Sequence, residues 1–152
     1  MVATVDDSDD HLVSGIKWRA AKKSPSKTWY VVAIIDGKKW TLHQWLQKSS
    51  PFPKTDHKDG NGLNNKRDNL RPCTHSQNMA NRGLDKSNRS GFKGVHWKKR
   101  EQRWHSEITC QNKRYDGGYY KNIKDAILAY DSLSNKLFGE FSRPNLPKIQ
   151  PC

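Results

Sequence analysis

The chain contains little hydrophobic sequence and has no long apolar run. Only 33% of its 152 residues are hydrophobic, and the mean hydropathy is -1.04. No stretch approaches the roughly 18 consecutive apolar residues of a membrane-spanning helix. Trp, Tyr and Phe together number 15 and are spread along the chain, which argues against wholesale disorder. A chain of this length can bury one core of ordinary size or two small ones.

Cysteine and an N-terminal basic segment are also scarce. The three cysteines, Cys73, Cys110 and Cys152, show no CxxC or short Cys/His spacing, which argues against a zinc finger or a disulfide framework. The first ten residues hold four Asp and no Lys or Arg, so the basic region of a secretory signal is absent. We therefore expect a protein that is not secreted and resides in the cytoplasm of a bacterial or phage-infected host cell.

Basic residues, in contrast, are abundant. The formal net charge is +13, and residues 86–152 alone carry 14 basic against 6 acidic side chains. Such a surface suits a polyanion, because each Lys or Arg near a phosphate releases condensed counterions. An anionic membrane could exploit the same charge, but no amphipathic basic helix is evident. Residues 1–12 are predicted to be a flexible acidic tail.

Residues 13–50 are predicted to form a small antiparallel sheet closed by a helix. Asp36-Gly37 follows a β-branched and aromatic run, which is a strong signal for a two-residue hairpin. The expected strands are Gly15–Ala20, Thr28–Ile35 and Lys38–Thr41, with a loop over 21–27 and a helix over Leu42–Gln47. The tryptophans of this region, at positions 18, 29, 40 and 45, are predicted to form its core.

Residues 54–82 differ in kind, because they are poor in apolar residues and rich in Asp, Asn, His and Gly. Thr74 and Gln77 have capping-box spacing, so a short helix is expected over 75–82, carrying Asn78. Asp56 and His57 can share a site only where a strand ends or kinks, since adjacent strand residues point to opposite faces. Carboxylate and amide oxygens suit Mg²⁺ or Mn²⁺, and an unligated imidazole can act as a general base. The alternative is a loop without a metal site, in which Asn and Asp are present because they favour turns.

The series D-H, D-N-L-R and S-Q-N in this segment resembles the HNH homing endonucleases, in the phage and intron-encoded group with a His-Asn-Asn motif and a ββα-metal fold. The resemblance implies that Asp56 and Asn78 are metal ligands, that His57 is the general base, and that Asn69 positions His57 and holds the loop. It implies hydrolysis of a DNA phosphodiester to 5′-phosphate and 3′-hydroxyl ends, with one divalent cation, Mg²⁺ or Mn²⁺, per site. Many HNH proteins have histidine where this chain has Asn78. His75 could be a substitute ligand, a phosphate contact or a solvated residue at the helix start.

Residues 91–145 are predicted to form three strands and one helix over Ile123–Phe138, whose apolar stripe covers one sheet face and leaves the other open. The runs S-G-F-K-G-V-H-W, A-I-L-A-Y-D and F-G-E-F-S-R-P-N resemble the APETALA2/ethylene-response-factor domain, which reads the DNA major groove with its exposed sheet face. Residues 83–90 are expected to be a linker and residues 146–152 a tail.

The expected DNA contacts combine positions that match this family with neighbouring cations, although for any single charge a solvated face is an equally good interpretation. The matching positions are Lys93, His96, Lys98, Arg103, Glu107 and Arg114, and the added ones are Arg71, Arg82, Arg89, Lys99 and Arg100.

The sequence therefore predicts an α+β protein: a small antiparallel sheet, a ββα-metal nuclease core over 54–82, and a three-stranded sheet packed on one helix. The predicted function is a metal-dependent, site-specific DNA endonuclease of the homing type. It would act as a monomer on double-stranded DNA, with a dimer possible there and no membrane partner. Nicking is the simple outcome of one site, whereas a double-strand break needs a dimer or a second event. The alternative is a non-catalytic DNA-binding regulator that keeps the HNH scaffold.

Overall fold

The computed structural model describes residues 1–22, 28–51, 54–85 and 87–146, and it has the mixed α+β architecture that the sequence predicts. Its main elements are α1 (Asp10–Val13), β1 (Arg19–Lys22), β2 (Trp29–Ile35), β3 (Lys38–Thr41), α2 (Leu42–Leu46), β4 (Lys54–His57), β5 (Leu70–Cys73), α3 (His75–Asn81), β6 (Val95–Lys98), β7 (Arg103–Cys110), β8 (Lys113–Tyr120) and α4 (Ile123–Phe138). The chain divides into two units, Met1–Asn78 and Met79–Cys152. In the described part of the chain, no helix is long and apolar enough to cross a bilayer.

The first unit contains an antiparallel sheet in the order β1-β2-β3. Asp36 and Gly37 both have positive φ angles, of 50° and 71°, as a tight hairpin turn with the right-handed twist of the strands requires. Helix α2 follows β3 directly, because Thr41 and Gln44 form a reciprocal capping box at its start.

The first strand differs from its predicted position. It was expected over 15–20 but spans Arg19–Lys22, so it reaches into the predicted loop, of which residues 23–27 lie outside the described residues. Gly15 has a φ of 79° and lies in a turn, and the Trp18 indole donates a hydrogen bond to the Val13 carbonyl at 3.2 Å. This turn after α1 takes up the residues that the alternating pattern assigned to a strand.

The core of the first unit is aliphatic rather than aromatic. Val31, Leu42, Leu46 and Leu70 are buried together, and Trp18 packs against them. The other three tryptophans of the predicted core are only half-buried. The prediction of a four-tryptophan core is therefore wrong, because the short sheet and α2 are too small to enclose large rings on all sides.

The acidic N-terminal segment is folded against this unit and is not a free tail. Asp9 is 5% exposed, and both its carboxylate oxygens accept hydrogen bonds from Arg67 at 2.8 Å. The Thr4 amide donates to the Leu63 carbonyl, and the Asn65 amide donates to the Thr4 carbonyl. The flexible tail expected over 1–12 is corrected by these contacts, which sequence patterns cannot reveal because Asp9 and Arg67 are 58 residues apart.

The second unit contains an antiparallel sheet in the order β6-β7-β8, with α4 against one face. The helix has the predicted bounds: Asn122 caps it by accepting from the Lys124 amide, and Gly139 follows its last residue. Gly94, with a φ of 63°, precedes β6, and a Cβ there would overlap the Tyr130 ring. Of the expected C-terminal tail, residues 147–152 lie outside the described residues.

Candidate active site and nucleic-acid interface

The Asp-His pair lies at the end of β4, where the sequence analysis required a strand to stop. β4 ends at His57, and the Gly60 amide donates to the His57 carbonyl at 2.9 Å in the turn that follows. β4 pairs with β5 so that Asp56 lies opposite Arg71 and His57 opposite Leu70. Directly opposed residues share a sheet face, so Asp56 and His57 begin on opposite faces of a two-stranded hairpin.

Asp56 is held by a buried ion pair. The Arg71 Nε and Nη2 atoms both donate to Asp56 Oδ2, at 3.0 and 2.9 Å. Asp56 and Arg71 are 6% and 8% exposed. Arg71 was expected among the DNA contacts, but its guanidinium is buried against the candidate metal ligand, so it orients that carboxylate instead of facing a phosphate.

A buried asparagine determines which nitrogen of the neutral His57 ring carries the proton. Asn65 is fully buried; its side-chain amide donates to the Leu63 carbonyl at 3.1 Å, and its Oδ1 lies 3.3 Å from His57 Nε2. An amide oxygen can only accept, so His57 Nε2 carries the proton and Nδ1 carries the lone pair of the neutral ring. Asn65 was not among the predicted site residues, although its place in the L-N-N run was a signal.

Burial makes the neutral form of His57 dominant near neutral pH. The ring is 5% exposed, and the loss of solvation lowers its pKa, while the hydrogen bond with Asn65 and the charges of Asp59 and Asp56 oppose this. A general base must be unprotonated to accept a proton, so this environment suits the role that the resemblance assigns to His57.

Asn69 ties together the loop between β4 and β5. Its Nδ2 donates to Asp59 Oδ1 and to the Asn64 carbonyl, at 3.0 and 2.8 Å, and its Oδ1 accepts from the Asp59 amide at 3.1 Å. This matches the loop-holding part of its expected role. The His57 ring donates its Nε2 hydrogen bond to Asn65 Oδ1, not to Asn69.

The helix that carries Asn78 begins as predicted. The Thr74 amide donates to Gln77 Oε1 at 2.8 Å and the Gln77 amide to Thr74 Oγ1 at 3.3 Å, which completes the capping box. His75 is exposed, and its Nδ1 lies 2.7 Å from Lys54 Nζ. Because lysine can only donate, that nitrogen is occupied as an acceptor.

The contact between His75 and Lys54 also indicates how α3 is turned. Lys54 and Asp56 are two residues apart on β4 and share a strand face. His75 and Asn78 are three residues apart on α3 and share a helix face. The contact brings the start of α3 beside Lys54, and half-buried Asn78 lies on the same face of α3 as His75.

The candidate ligands fit a hard cation that is coordinated mainly by water and substrate and by few protein atoms. Across the described residues, no three His, Cys, Asp or Glu side chains are grouped as a metal site. One carboxylate and one amide oxygen, from Asp56 and Asn78, suit Mg²⁺ or Mn²⁺, which complete their coordination with water and substrate phosphate oxygens. Zinc, which prefers three or four nitrogen or sulfur ligands, does not match this set.

In the second unit, the sheet face away from α4 carries five of the predicted DNA contacts. Val95, Ser106 and Ile108 are buried, so the alternating residues lie on the open face. Five predicted contacts share that face, namely His96, Lys98, Arg103, Glu107 and Arg114, and the exposed Lys99 and Arg100 lie in the turn after β6.

Glu107 is the centre of charge interactions on this open face. Its carboxylate lies 3.4 Å from Arg114, 3.9 Å from His96 and 3.8 Å from His105. His105 stacks on Tyr119 with a centroid distance of 4.4 Å, and its Nε2 lies 3.0 Å from Asp116 Oδ1. His105 was not predicted as part of this surface.

Three predicted contacts lie elsewhere. The Lys93 ammonium donates to the Ala80 and Arg143 carbonyls, and burial lowers its pKa to about 8, so it is a structural tie rather than an exposed cation. Arg82 and Arg89 are exposed outside the sheet, and Arg82 forms an ion pair with Asp85 at 3.4 Å.

Known proteins resemble this chain. A family model described as HNH endonuclease matches residues 42–80. The chain is 32% identical over 105 residues to Protein 3.8 of Escherichia phage T7, covering 67% of this chain and 86% of that protein. It is 31% identical over 140 residues to a protein named "Uncharacterized HNH endonuclease L560" from Acanthamoeba polyphaga mimivirus, covering 88% of this chain and 69% of that protein.

Proposed function

This chain belongs to the HNH endonuclease family, and from that premise we propose that it is a metal-dependent, site-specific DNA endonuclease of the homing type. The observation that carries the proposal is the environment of His57. Its ring is buried, its Nε2 proton is committed to Asn65, and its lowered pKa favours the neutral form beside Asp56. These are the properties of a general base that works near neutral pH.

In the proposed reaction, His57 Nδ1 accepts a proton from a water molecule whose oxygen attacks phosphorus. The bond from phosphorus to the 3′-oxygen breaks, and that oxygen takes a proton from solvent. The products are a 5′-phosphate and a 3′-hydroxyl. Asn65 keeps the accepting nitrogen unprotonated before the step, because it holds the other nitrogen as a donor.

HNH nucleases generally use a divalent metal, and here we assign Asp56 and Asn78 as its protein ligands, with Mg²⁺ or Mn²⁺ as the ion. A bound cation supplies positive charge beside the scissile phosphate. Arg71 donates two hydrogen bonds to Asp56 Oδ2 and so holds the carboxylate in a defined orientation. The exposed His75, whose Nδ1 is taken up by Lys54, is assigned no ligand role.

We assign target recognition to the open face of the second unit, as an APETALA2-like DNA-binding domain. The observation that supports this is the display of exposed Arg103 and Arg114 on one side of the sheet while α4 covers the other. Arginine can read guanine bidentately in the major groove, and the turn cations suit phosphates. One catalytic site per chain favours a monomer that nicks one strand, in the cytoplasm of a bacterial or phage-infected host cell.

The nuclease assignment is tested by incubating the full chain with supercoiled DNA that bears a candidate site, with Mg²⁺ and with EDTA. We expect nicked product only with the metal. His57→Ala should abolish nicking while DNA affinity and the circular dichroism spectrum stay at wild-type values. His11→Ala, which alters an exposed histidine of the same unit, is the matched control and should cleave normally. Wild-type protein that binds this DNA but never nicks it would be the non-catalytic regulator.

The recognition assignment is tested by DNA affinity and its salt dependence. Arg103→Ala and Arg114→Ala should each weaken binding to the target, whereas Lys99→Ala and Arg100→Ala should each lower the slope against salt by about 1, because each removes a phosphate contact. Lys136→Ala, on the exposed side of α4, should leave both unchanged. If the open-face variants behave like the Lys136 variant, the basic residues of the sheet are a solvated surface.

A further inference from the structure

We propose that Tyr30 and His43 are positioning residues that hold the His57 ring in the orientation needed for proton transfer. The inference deepens the proposed function, because it rests on His57 as the general base. It gives the N-terminal sheet and α2 a part in the active site, which the motif over 54–82 does not include.

The three rings form a mutually contacting cluster. The His43 and His57 centroids are 4.8 Å apart with an interplanar angle of 80°. Tyr30 lies 6.0 Å from His57 at 60° and 5.7 Å from His43 at 55°. Steeply tilted arrangements at these distances are the edge-to-face contacts that aromatic rings prefer.

His43 is itself fixed before it contacts His57. It is 9% exposed at the second position of α2, and its Nε2 lies 3.1 Å from Thr41 Oγ1. The Thr41 hydroxyl donates its only hydrogen to Gln44 Oε1 at 2.7 Å, so His43 Nε2 must be the donor to Thr41. The capping box of α2 thus sets both the tautomer and the direction of the His43 ring.

Tyr30 is fixed by its place in the sheet and by the loop that packs on it. It lies within β2, paired with Ala21 of β1, and the catalytic loop packs directly on it. A Cβ built on Gly62 would lie 2.6 Å from Tyr30 Cδ1, so only glycine permits this approach. The loop between β4 and β5 is therefore seated on the same ring that contacts His57.

These contacts act on a different part of the ring from the Asn65 hydrogen bond. The hydrogen bond fixes the Nε2 end of the His57 ring, and the two aromatic neighbours pack against the ring itself. Two rings at steep angles to His57 restrict the plane, and the plane determines where the Nδ1 lone pair points. Proton transfer depends strongly on such alignment, and a displacement of about 1 Å can cost a hundredfold in rate.

The test compares His43→Phe with His43→Leu. Both lose the hydrogen bond to Thr41 and both are apolar, so they differ in whether a planar ring faces His57. We expect kcat for nicking to fall about ten- to hundredfold in the Leu variant and about threefold or less in the Phe variant, with KM for DNA within about twofold of wild type in both. Tyr30→Phe against Tyr30→Leu should repeat the pattern, and His11→Ala is again the control.

A second readout does not depend on catalysis. In ¹⁵N spectra of the full-length protein, the His57 Nε2–H signal should stay sharp in wild type and the Phe variants and broaden in the Leu variants, because motion of the ring plane weakens the hydrogen bond to Asn65 and exposes that proton to water. Equal kcat and equal ¹⁵N signals in folded Phe and Leu variants would overturn the positioning role. If wild type does not cleave, the proposed function fails, whereas the ¹⁵N comparison still decides whether the two rings orient His57.

Discussion

The buried ion pair between Asp56 and Arg71 makes a quantitative prediction about Arg71→Met. At an N–O distance of 2.9 Å and an effective dielectric constant of about 20, the attraction is about 6 kcal/mol before desolvation is subtracted. Desolvation removes most of this gain, but removing the arginine leaves the buried Asp56 carboxylate without this cation. Such a loss typically costs about 3 kcal/mol or more. We therefore expect the free energy of unfolding of the first unit to fall by about 3 kcal/mol.

The loss of stability in Arg71→Met should depend on the charge of Asp56. In the double variant Asp56→Asn, Arg71→Met neither charge of this pair remains, so we expect a loss of only about 1 kcal/mol. Millimolar Mg²⁺ should restore part of the stability of the single variant, because the ion supplies the positive charge that Asp56 has lost. It should not affect the double variant, which has no carboxylate at position 56.

The assay is native-state hydrogen exchange of the Lys58 amide, which donates to the Asn69 carbonyl at the end of the hairpin, together with urea unfolding of the full chain. The hairpin amide reports on the first unit separately from the second. Single and double variants that lose equal stability, within about 0.5 kcal/mol, would refute the charge argument. A large loss of DNA affinity in Arg71→Met, with the hairpin still protected, would return Arg71 to the DNA contacts.

Three further predictions concern stability. Gly94→Ala should destabilise the second unit by about 3 kcal/mol in urea unfolding, because Gly94 has a positive φ and a Cβ there would overlap the Tyr130 ring. The control is Gly83→Ala, whose Cβ would meet nothing within 4 Å and which should change stability by less than about 1 kcal/mol. The hydrogen bond from Arg67 lowers the pKa of Asp9, so the stability that Asp9 contributes is present above the unfolded pKa and is lost as pH falls through the folded one. Between pH 5 and 3, wild type should therefore lose more stability than Asp9→Asn, and parallel curves would contradict this. Burial lowers the pKa of Lys93 to about 8, so the unfolded chain binds more protons between pH 8 and 10; wild-type stability should rise over that range relative to Lys93→Met, and a fall would contradict this sign.

Much of the fold could be predicted because its signals are local. Helix α4 has the predicted bounds, since its cap, its apolar period and its terminal glycine all lie within the segment itself. The hairpin at Asp36-Gly37 and the capping box at Thr74 are equally local. β1 was misplaced because alternation over a few residues also occurs in the turn that follows α1.

The site could be predicted only in part. The sequence by itself identified Asp56, His57, Asn69 and Asn78 as a group, because one short ββα segment carries all of them. It could not identify their partners, which come from distant parts of the chain or are hidden among common turn residues. In the sequence, Asn65 looked like any other loop asparagine. Its role in fixing the His57 tautomer follows from its complete burial and its contact with His57 Nε2, which only the structure shows.

The sequence alone therefore determined the family, the α+β class and the candidate chemistry, because motif spacing and charge are properties of the chain itself. Tertiary structure decided which groups face one another. It placed Arg71 against Asp56 instead of DNA, brought His43 and Tyr30 onto His57, and used the acidic N-terminal segment as a partner for Arg67. The physical reason is that burial and pairing depend on contacts between residues far apart in sequence, which no local pattern records.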